Sequence, residues 1–482
     1  MPQLHFAWLS LAILTSLVGA LAVARLRDPE LAWKRSLTAT GATLLLTLAA
    51  WTDFAVSSAS SARDPLGLAL LGPDAVVVDE ITAPLLPLAA LLYLVVTLTT
   101  MRTKVRRFPF TWSLLSLSLQ LAILCCRDRW GIVVLAIGQT VPPLLELSSR
   151  GRSTRVFALY MGLFATCLVA GVGMLRAEPD AASQPPSAVA LIAAAVLIRS
   201  GAVPVHCWLA DFFENVGLGT AMLFVTPMTG AYLAVRLLLP IAPDWALQAI
   251  AAISLVTAIY AAGMALVQRD VRRFAAYLFL SNASLVLVGM EVASPISLTG
   301  ALALWLSVGI SLAGMGLTLR AVESRCERLS LTNYHGLYDH MTALAVFYLL
   351  TGLATIGFPG TIGFVGAEML VDGVVTWMPA VGAVVVLAGA LNGIAVMRVY
   401  FRLFTGTRHT SVISLEARWP EKIAILTMSL LILGGGLLPQ PGVLSRYRAA
   451  QEILSGRETG DARPDAHNVA RTFETARQHS PL

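Results

Sequence analysis

Apolar runs of about 20 residues recur along nearly the whole of this 482-residue chain, and this repetition constrains the fold more than any other feature. A helix needs about 20 predominantly apolar residues to cross the hydrocarbon core of a bilayer. Hydrophobic residues make up 57% of the chain and charged residues 13%, a balance that soluble globular proteins do not reach. Since backbone groups inside a bilayer must bond internally, we expect an all-α polytopic membrane protein.

The apolar runs predict fourteen membrane spans. Two helix-rich blocks, 110–240 and 246–404, each contain an ionisable position and a proline or glycine interruption, a pattern typical of inverted-repeat transporters with broken helices. The spans are predicted at 4–24, 37–57, 82–101, 110–126, 130–148, 156–175, 187–206, 217–239, 246–267, 274–292, 298–319, 342–362, 378–404 and 421–438.

The chain divides into four predicted regions: N-terminal helices at 1–109, a membrane core at 110–404, a C-terminal helix at 405–443 and a polar tail at 444–482. The tail mixes Arg with Asp, Glu, Gly and Pro. Such a composition cannot bury enough apolar surface to order itself. We therefore expect the tail to be a disordered or loosely helical extension.

Basic residues concentrate in alternate loops, at 25–35, 102–107 and 150–155, whereas the intervening loops are acidic or poor in basic residues. Loops rich in Lys and Arg face the cytoplasm in membrane proteins. With an even number of spans, this rule predicts that both termini lie on the outer, periplasmic side of a bacterial inner membrane.

Ionisable residues interrupt the apolar sequence between 191 and 236. Arg199 lies mid-span, Pro204 breaks the helix five residues later, and His206, Asp211 and Glu214 follow. Placing Arg at the centre of a bilayer costs about 2.5 to 3.5 kcal/mol on insertion scales, so such residues indicate a functional site. The alternative is a packing kink with an arginine that snorkels to a helix end.

Two further segments combine charge with helix-breaking residues. Residues 268–277, QRDVRRFAAY, contain Asp270 and Arg272 between two apolar runs, although a simple arginine-rich cytoplasmic loop explains this composition as well. Residues 357–368, GFPGTIGFVGAE, form a Gly- and Pro-interrupted helix that ends on Glu368. Asp372, four residues later, is expected on the same helical face.

These motifs resemble those of the proton-conducting antiporter-like membrane subunits. Residues 204–211, PVHCWLAD, resemble the family signature P-x-H-x-W-L-x-D-A, and ALVQRDVRRFAAYLFLSNASLVLVG resembles A-x-x-Q-x-D-I-K-R-x-x-A-Y-S-x-x-S-Q-x-G. GLATIGFPGTIGFVGAEML resembles G-x-P-x-x-G-F-x-x-K-E, and VVVDEITAPLLPL resembles the early acidic turn. The family comprises chains L, M and N of respiratory complex I, the large Mrp antiporter subunits and the membrane subunit of DAB-type inorganic-carbon pumps. The resemblance runs in order from about residue 76 to 406, so it makes 110–404 an antiporter-like core.

The resemblance implies a proton path at mid-membrane depth that uses a helix-five glutamate, a helix-seven lysine and a helix-eight lysine. The two lysine positions fall on Arg199 and Arg272, and the glutamate position falls near Gln139 or Thr140. A guanidinium stays protonated in proteins, so neither arginine can readily release a proton. The resemblance therefore implies a retained scaffold whose titrating groups are largely replaced.

His206 is the remaining group in this stretch whose ordinary pKa suits proton exchange, although it could equally bond the backbone of the broken helix. Arg199 and Arg272 could hold an anion, pair with a carboxylate or orient water, and Glu146 could pair with Arg150 four residues later. The candidate residues of the ion path are Arg199, His206, Asp211, Asp270, Arg272 and Glu368, with Glu146 and Glu214 as further candidates.

No bound cofactor or metal is expected. The cysteines lack paired spacing and no dinucleotide or haem-attachment motif occurs. The resemblance implies a membrane subunit of a proton- or ion-translocating complex like NADH-quinone oxidoreductase chain M or L, non-redox itself and coupled to partner subunits. The alternatives are the membrane subunit of an inorganic-carbon pump with a large soluble zinc-binding partner, and a scaffold that transports nothing.

Overall fold

A computed structural model describes residues 2–57, 59–72, 74–101, 105–106, 108–176, 184–292, 294–326, 328–406 and 416–461. Short strands β1 (Ser61–Arg63) and β2 (Val77–Asp79) pair antiparallel beside a predominantly helical bundle. The helices are α1 (Trp8–Ala24), α2 (Pro29–Ser57), α3 (Pro65–Leu71), α4 (Leu85–Leu98), α5 (Phe110–Cys125), α6 (Arg129–Gly138), α7 (Val141–Ser149), α8 (Arg155–Gly173), α9 (Pro186–Ser200), α10 (Cys207–Asn215), α11 (Leu218–Val225), α12 (Thr229–Leu233), α13 (Asp244–Val267), α14 (Val271–Glu291), α15 (Pro295–Cys326), α16 (Thr342–Thr355), α17 (Ile362–Trp377), α18 (Pro379–Phe404), α19 (Trp419–Leu437) and α20 (Gln440–Asp461). A π-helical turn (Ala234–Leu238) continues α12, and a 3₁₀ turn (Tyr338–His340) precedes α16.

The predicted fold class is confirmed. Within the described residues, nine helices or joined helix pairs are long and apolar enough to cross a membrane, and the shorter apolar helices α1, α4, α5, α9 and α16 supply five more. Each of the fourteen predicted spans coincides with one of these. The pattern succeeds because hydrocarbon thickness, rather than tertiary detail, sets the length of an apolar run.

Four spans are interrupted where the sequence carries proline, glycine or a polar pair. The seventh span breaks between α9 and α10, where Gly201 has a φ of 76°. The eighth breaks at Met228 (φ 49°), and the twelfth at Gly357 and Gly360. Positive φ is readily adopted by glycine. The fifth span breaks between α6 and α7, next to Gln139. Breaks of this kind are tolerated at membrane depth only where the backbone is buried in protein or lines a wet cavity.

Helices α14 and α15 form the centre of the bundle. In their most apolar stretches 94% and 83% of the residues are buried, against 22% in α19. The apolar faces that α2, α8, α18 and α19 leave exposed fit contact with lipid. Polar side chains on α14 and α15 are therefore largely shielded from solvent.

Successive spans run antiparallel, so the loops meet at two ends. Residues 25–28, 150–154, 268–270 and 328–341 lie at what we call the arginine-rich end, where Arg328 bonds Asp270 at 2.8 Å. The opposite end holds the paired strands β1 and β2 and residues 126–128 and 239–243. This division decides which polar residues can meet.

The C-terminal region is helical over the first part of the predicted polar tail. Residues 444–461 belong to α20, which packs against α15, and Ala449 and Ala450 are fully buried. Arg446 is 2% exposed and donates to the carbonyl oxygen of Ile81 at 3.1 Å. Of the two states expected for the tail, residues 444–461 therefore adopt the helical one, and small residues and one arginine allow this helix to pack on the bundle. Residues 462–482 lie outside the described residues.

Candidate functional site

Arg199 is a buried cation at the end of α9, two residues before the left-handed Gly201. The residue is 3% exposed. Its Nη2 lies 3.3 Å from the carbonyl oxygen of Phe224 and 3.4 Å from Thr229 Oγ1, and its Cζ lies 4.0 Å above the Phe224 ring. Among the residues that the structure describes, no carboxylate bonds it. Dipoles and a ring face therefore hold this charge instead of an acid.

A chain of neutral hydrogen bonds extends from Arg199 into the bundle. Thr229 donates to Gln139 Oε1 at 2.9 Å, and Gln139 Nε2 donates to Gln120 Oε1 at 2.9 Å. A void of about 20 Å³ beside Arg199, Ser200 and Thr229 has room for one water molecule. Gln139 thus fills the position near which the resemblance implied a glutamate, and it does so with an amide that cannot titrate.

His206 lies apart from this chain. It precedes α10 at the break, is half-buried, and its Nε2 lies 3.1 Å from the hydroxyl of Tyr260, which is 37% exposed. Its ring also packs near Tyr277. The structure therefore gives His206 an aromatic setting near the outer surface and does not bring it to the polar chain of Arg199.

Arg272 forms a bidentate ion pair at the arginine-rich end. Its Nε and Nη2 lie 2.7 and 2.9 Å from the two carboxylate oxygens of Glu323, and its Nη1 donates to the carbonyl oxygen of Val216 at 3.0 Å. Asp270 caps α14 by accepting from the backbone N–H of Arg272 at 2.9 Å. The arginine is therefore a paired cation and not an isolated relay group.

The assignment of the helix-eight lysine position to Arg272 is wrong. Arg272 begins the tenth span, whereas the eighth span is Leu218–Leu238, whose only charged residue is Arg236. Arg236 instead bonds the buried Asp79 at the opposite end. Motif order along the chain did not by itself give the span number.

Of the other candidates, Glu214 and Asp270 share Arg328 as a partner at the arginine-rich end, whereas Asp211 does not join them. Glu214 lies 2.8 Å from Arg328 and 2.7 Å from Arg273. Hydrogen bonds to Asp270 and Glu214 raise the pKa of Arg328 above its ordinary value, so this loop arginine stays charged. Asp211 accepts only from Asn215, at 3.1 Å, among the contacts described.

Glu146 lies at the inner wall of a large vestibule. Its side chain is 1% exposed and its Oε1 lies 2.7 Å from Nη2 of Arg150, which confirms the expected i,i+4 pair. The backbone N–H of Gly217 faces the same oxygen at 3.4 Å. A Cβ at Gly217 would lie 3.0 Å from the Arg150 guanidinium, so glycine permits this close approach.

The vestibule has a volume of about 970 Å³ and opens at the arginine-rich end. It adjoins an inner cavity of about 220 Å³, with which it shares walls at Phe108, Arg150, Arg272 and Glu323. The charged side chains that line the vestibule are Arg27, Arg106, Arg150, Arg152, Arg272, Arg328, Glu146, Glu214 and Glu323. Six cations against three acids give this polar opening a positive field.

Glu368 lies on the exposed surface of the helical bundle. It is exposed on α17, and so is Asp372 one turn later. In the described part of the chain, neither carboxylate has an ion-pair partner. The structure therefore does not join Glu368 to Arg199 or Arg272.

Sequence reasoning missed two groups that the structure reveals. Thr229 completes the chain beside Arg199, but a threonine in an apolar span carries no distinctive signal. Arg320 lines the inner cavity, donates to the Val96 carbonyl oxygen and to Thr100 Oγ1 at 2.8 Å each, and lies three residues before Glu323. The charged residues Arg320 and Glu323 at the end of a long apolar run are the sequence signal that could have identified this group.

Comparisons with known proteins agree with this fold. Residues 179–392 match the family NADH:quinone oxidoreductase/Mrp antiporter, TM. NADH-quinone oxidoreductase subunit M of Rickettsia prowazekii (strain Madrid E) is 27% identical over 268 residues, which cover 54% of either chain. Subunit M of Escherichia coli (strain K12) is 26% identical over 268 residues, 54% of this chain and 52% of that one. The chain thus spans about half the length of the curated relatives it matches.

Solved structures share the architecture over almost the entire chain. A chain of respiratory complex I from Thermus thermophilus with bound NADH superposes with a TM-score of 0.81 and 21% identity, covering 93% of this chain and 99% of that one. A chain of the Mrp complex from Dietzia sp. DQ12-45-1b gives 0.83 and 20%, with coverage of 95% and 98%. These superpositions show that the chain has the fold of these membrane subunits, and residues 179–392 are the part whose sequence also matches the NADH:quinone oxidoreductase/Mrp antiporter transmembrane family.

Proposed function

We propose that this chain is the membrane subunit of a proton- or ion-translocating complex, similar to NADH-quinone oxidoreductase subunit M, and that it couples ion movement to chemistry on partner subunits. The observation that carries the proposal is the buried Arg199 at a helix break, joined through Thr229 to Gln139. Polar groups at membrane depth are costly and mark ion pathways.

In this proposal the arginines act as fixed charges and do not carry the proton. Protons enter the vestibule with water and reach Glu146, whose charge is balanced by Arg150. The side chain of Arg150 is 31% exposed, so it has room to turn away and leave Glu146 free to accept a proton. Arg199 then sets the electrostatic potential that an arriving proton meets, and water beside Thr229 completes the path.

The test is proton flux into vesicles that hold the chain with its co-purifying partners. Arg199→Gln removes the buried charge, and Arg269→Gln removes an exposed arginine from a loop at the arginine-rich end. We expect the first variant to lower coupled flux by about tenfold or more, equivalent to about 1.4 kcal/mol, and the second to leave it unchanged.

Equal flux in the two variants would contradict the role of Arg199. An intact assembly that shows no wild-type flux under any driving force would instead favour the scaffold that transports nothing. Arg150 is not a suitable control, because it pairs with the buried Glu146 and lines the vestibule.

Bicarbonate transport as part of an inorganic-carbon pump is the second candidate, and the inner cavity supports it. Arg150, Arg272 and Arg320 line this space, and Arg320 has hydroxyl and carbonyl partners but no carboxylate within bonding distance among the described residues. Guanidinium groups bind oxyanions well. A large co-purifying zinc protein and bicarbonate-dependent uptake would favour this candidate, whereas quinone-reactive partners would favour the first.

We further propose that a partner membrane subunit covers α17. Glu368 and Asp372 are exposed on a helix at membrane depth, where contact with lipid is unfavourable for a carboxylate. A partner helix with a basic side chain would complement both acids. The positive-inside rule supports placing the arginine-rich end in the cytoplasm of a bacterium and both termini on the outer side of its inner membrane.

A further inference from the structure

Glu291 is the last residue of α14 and lies at the opposite end of the bundle from the vestibule. The helix has 21 residues, which at 1.5 Å per residue separate Glu291 from Arg272 by about 30 Å. Glu291 is 4% exposed. Both of its carboxyl oxygens are buried, and in the described part of the protein neither has a hydrogen-bond partner.

The helices packed against α14 supply no countercharge here. At this end α9, α15 and α18 carry no charged residue. Each of these helices begins at this end, and the first charged residue along each is Arg199, Arg320 or Arg398, respectively, near the other end of that helix. The remaining charges of the neighbouring spans are engaged elsewhere or exposed: Asp244 of α13 bonds Arg457, Arg236 bonds Asp79, and Glu368 and Asp372 of α17 lie on the outer surface. None of them pairs with Glu291.

The C-terminal end of a helix is a poor place for a negative charge. Its last carbonyl groups lack helical partners and carry the negative end of the helix dipole. The carbonyl groups at this end of α14 accept hydrogen bonds: the Ser297 hydroxyl donates to the carbonyl oxygen of Gly289 at 2.9 Å. An ionised Glu291 would be a second negative group without a donor, whereas a carboxylic acid has an O–H that can donate to such acceptors.

We infer that Glu291 is a protonated carboxyl group and forms a proton-binding site near the opposite end of the bundle. The proton leaves its carboxyl oxygen for water at that end and returns from it. The protonated state follows from the burial and contacts of Glu291 alone. Its part in transport rests on the proposed function, for which Glu146 would serve the arginine-rich end in the same way.

Infrared spectroscopy of the assembled complex in lipid vesicles tests the protonated state directly, because the carbonyl stretch of a carboxylic acid is separate from the bands of a carboxylate. At neutral pH we expect Glu291→Gln to remove intensity from the carboxylic acid band. Glu30→Gln, at an exposed position on α2, should leave that band unchanged. Glu291→Asp keeps a carboxyl group and should shift the band without abolishing it. This variant therefore separates the loss of the carboxyl group from the loss of folding.

An identical acid band in wild type and Glu291→Gln would overturn the inference, because Glu291 would then be ionised. Proton flux is measured separately on the same vesicles. Lower flux in Glu291→Gln supports proton exchange at this site. Full flux together with a lost band would contradict the role of Glu291 in transport, while the conclusion that Glu291 is protonated would stand. If wild type itself shows no flux, the proposed function fails, and the acid band still decides the state of Glu291.

Discussion

At the scale of single residues, the arginines of this protein divide into paired and unpaired cations. Arg272 faces two oxygens of Glu323, while Arg199 faces a carbonyl, a hydroxyl and a ring. A paired guanidinium mainly fixes geometry, since its charge is neutralised. An unpaired one projects its field into the surrounding low-dielectric interior. This difference is why we assign the functional role to Arg199 and a structural role to Arg272.

Breaking the pair of Arg272 should destabilise the protein. Arg272→Gln leaves Glu323, whose side chain is 9% exposed, without its countercharge, and we expect a loss of about 2 kcal/mol or more. Arg273→Gln removes an arginine that is 49% exposed, and exposed pairs contribute about 1 kcal/mol or less. Unfolding in detergent measures both losses, and a double variant with Glu323→Gln isolates the coupling energy. Equal losses in Arg272→Gln and Arg273→Gln would contradict the structural role of the pair.

At the scale of secondary-structure elements, α15 and α17 approach each other unusually closely. A Cβ on Gly300 would lie 2.5 Å from the backbone nitrogen of Leu370, and one on Gly366 would lie 2.8 Å from the backbone nitrogen of Leu304. Backbone atoms cannot move aside as a flexible side chain can. Small residues at such crossings bring helices together in membranes, and here they fix the broken twelfth span against the centre of the bundle.

Gly300→Ala should therefore separate these helices. We expect a loss of about 1 to 3 kcal/mol, the range for overpacking a dense core. Gly263→Ala is the matched control, because it lies within α13 and a Cβ there meets nothing within 4 Å; its stability should stay the same or rise slightly. Thermal unfolding of the two variants in one detergent makes the comparison. A Gly300→Ala protein as stable as the control would show that the crossing is looser than described.

At the scale of the whole molecule, the sequence was sufficient for the spans and insufficient for the pairs. Hydropathy marks each span independently, so fourteen of them could be predicted. The contact between Gln139 and Thr229 joins residues 90 positions apart, and the partner of Arg272 is 51 positions away. Helix packing creates such contacts, and no local pattern encodes them. His206 and Glu368 were predicted on the path from their motifs, but the structure does not bring them to Arg199. A motif gives a residue's position along the chain and not the face of the helix on which its side chain lies.

Orientation in the membrane is a prediction for the entire chain. In a Cys207→Ser background, which removes the exposed native thiol, Arg269→Cys reports the arginine-rich end and Gln440→Cys the opposite end. We expect a membrane-impermeant thiol reagent to label position 440 in intact cells and position 269 only after permeabilisation, because arginine-rich loops stay in the cytoplasm. The reverse pattern would invert the assignment of both ends.

The buried charge of Arg199 also has an electrical consequence. A group that cannot shed its proton carries a full positive charge through every conformation that the broken seventh helix adopts. One charge crossing the whole membrane potential corresponds to about 2.3 kcal/mol per 100 mV. Any displacement of the helix break along the membrane normal would therefore move charge, and membrane voltage itself would bias the position of α9.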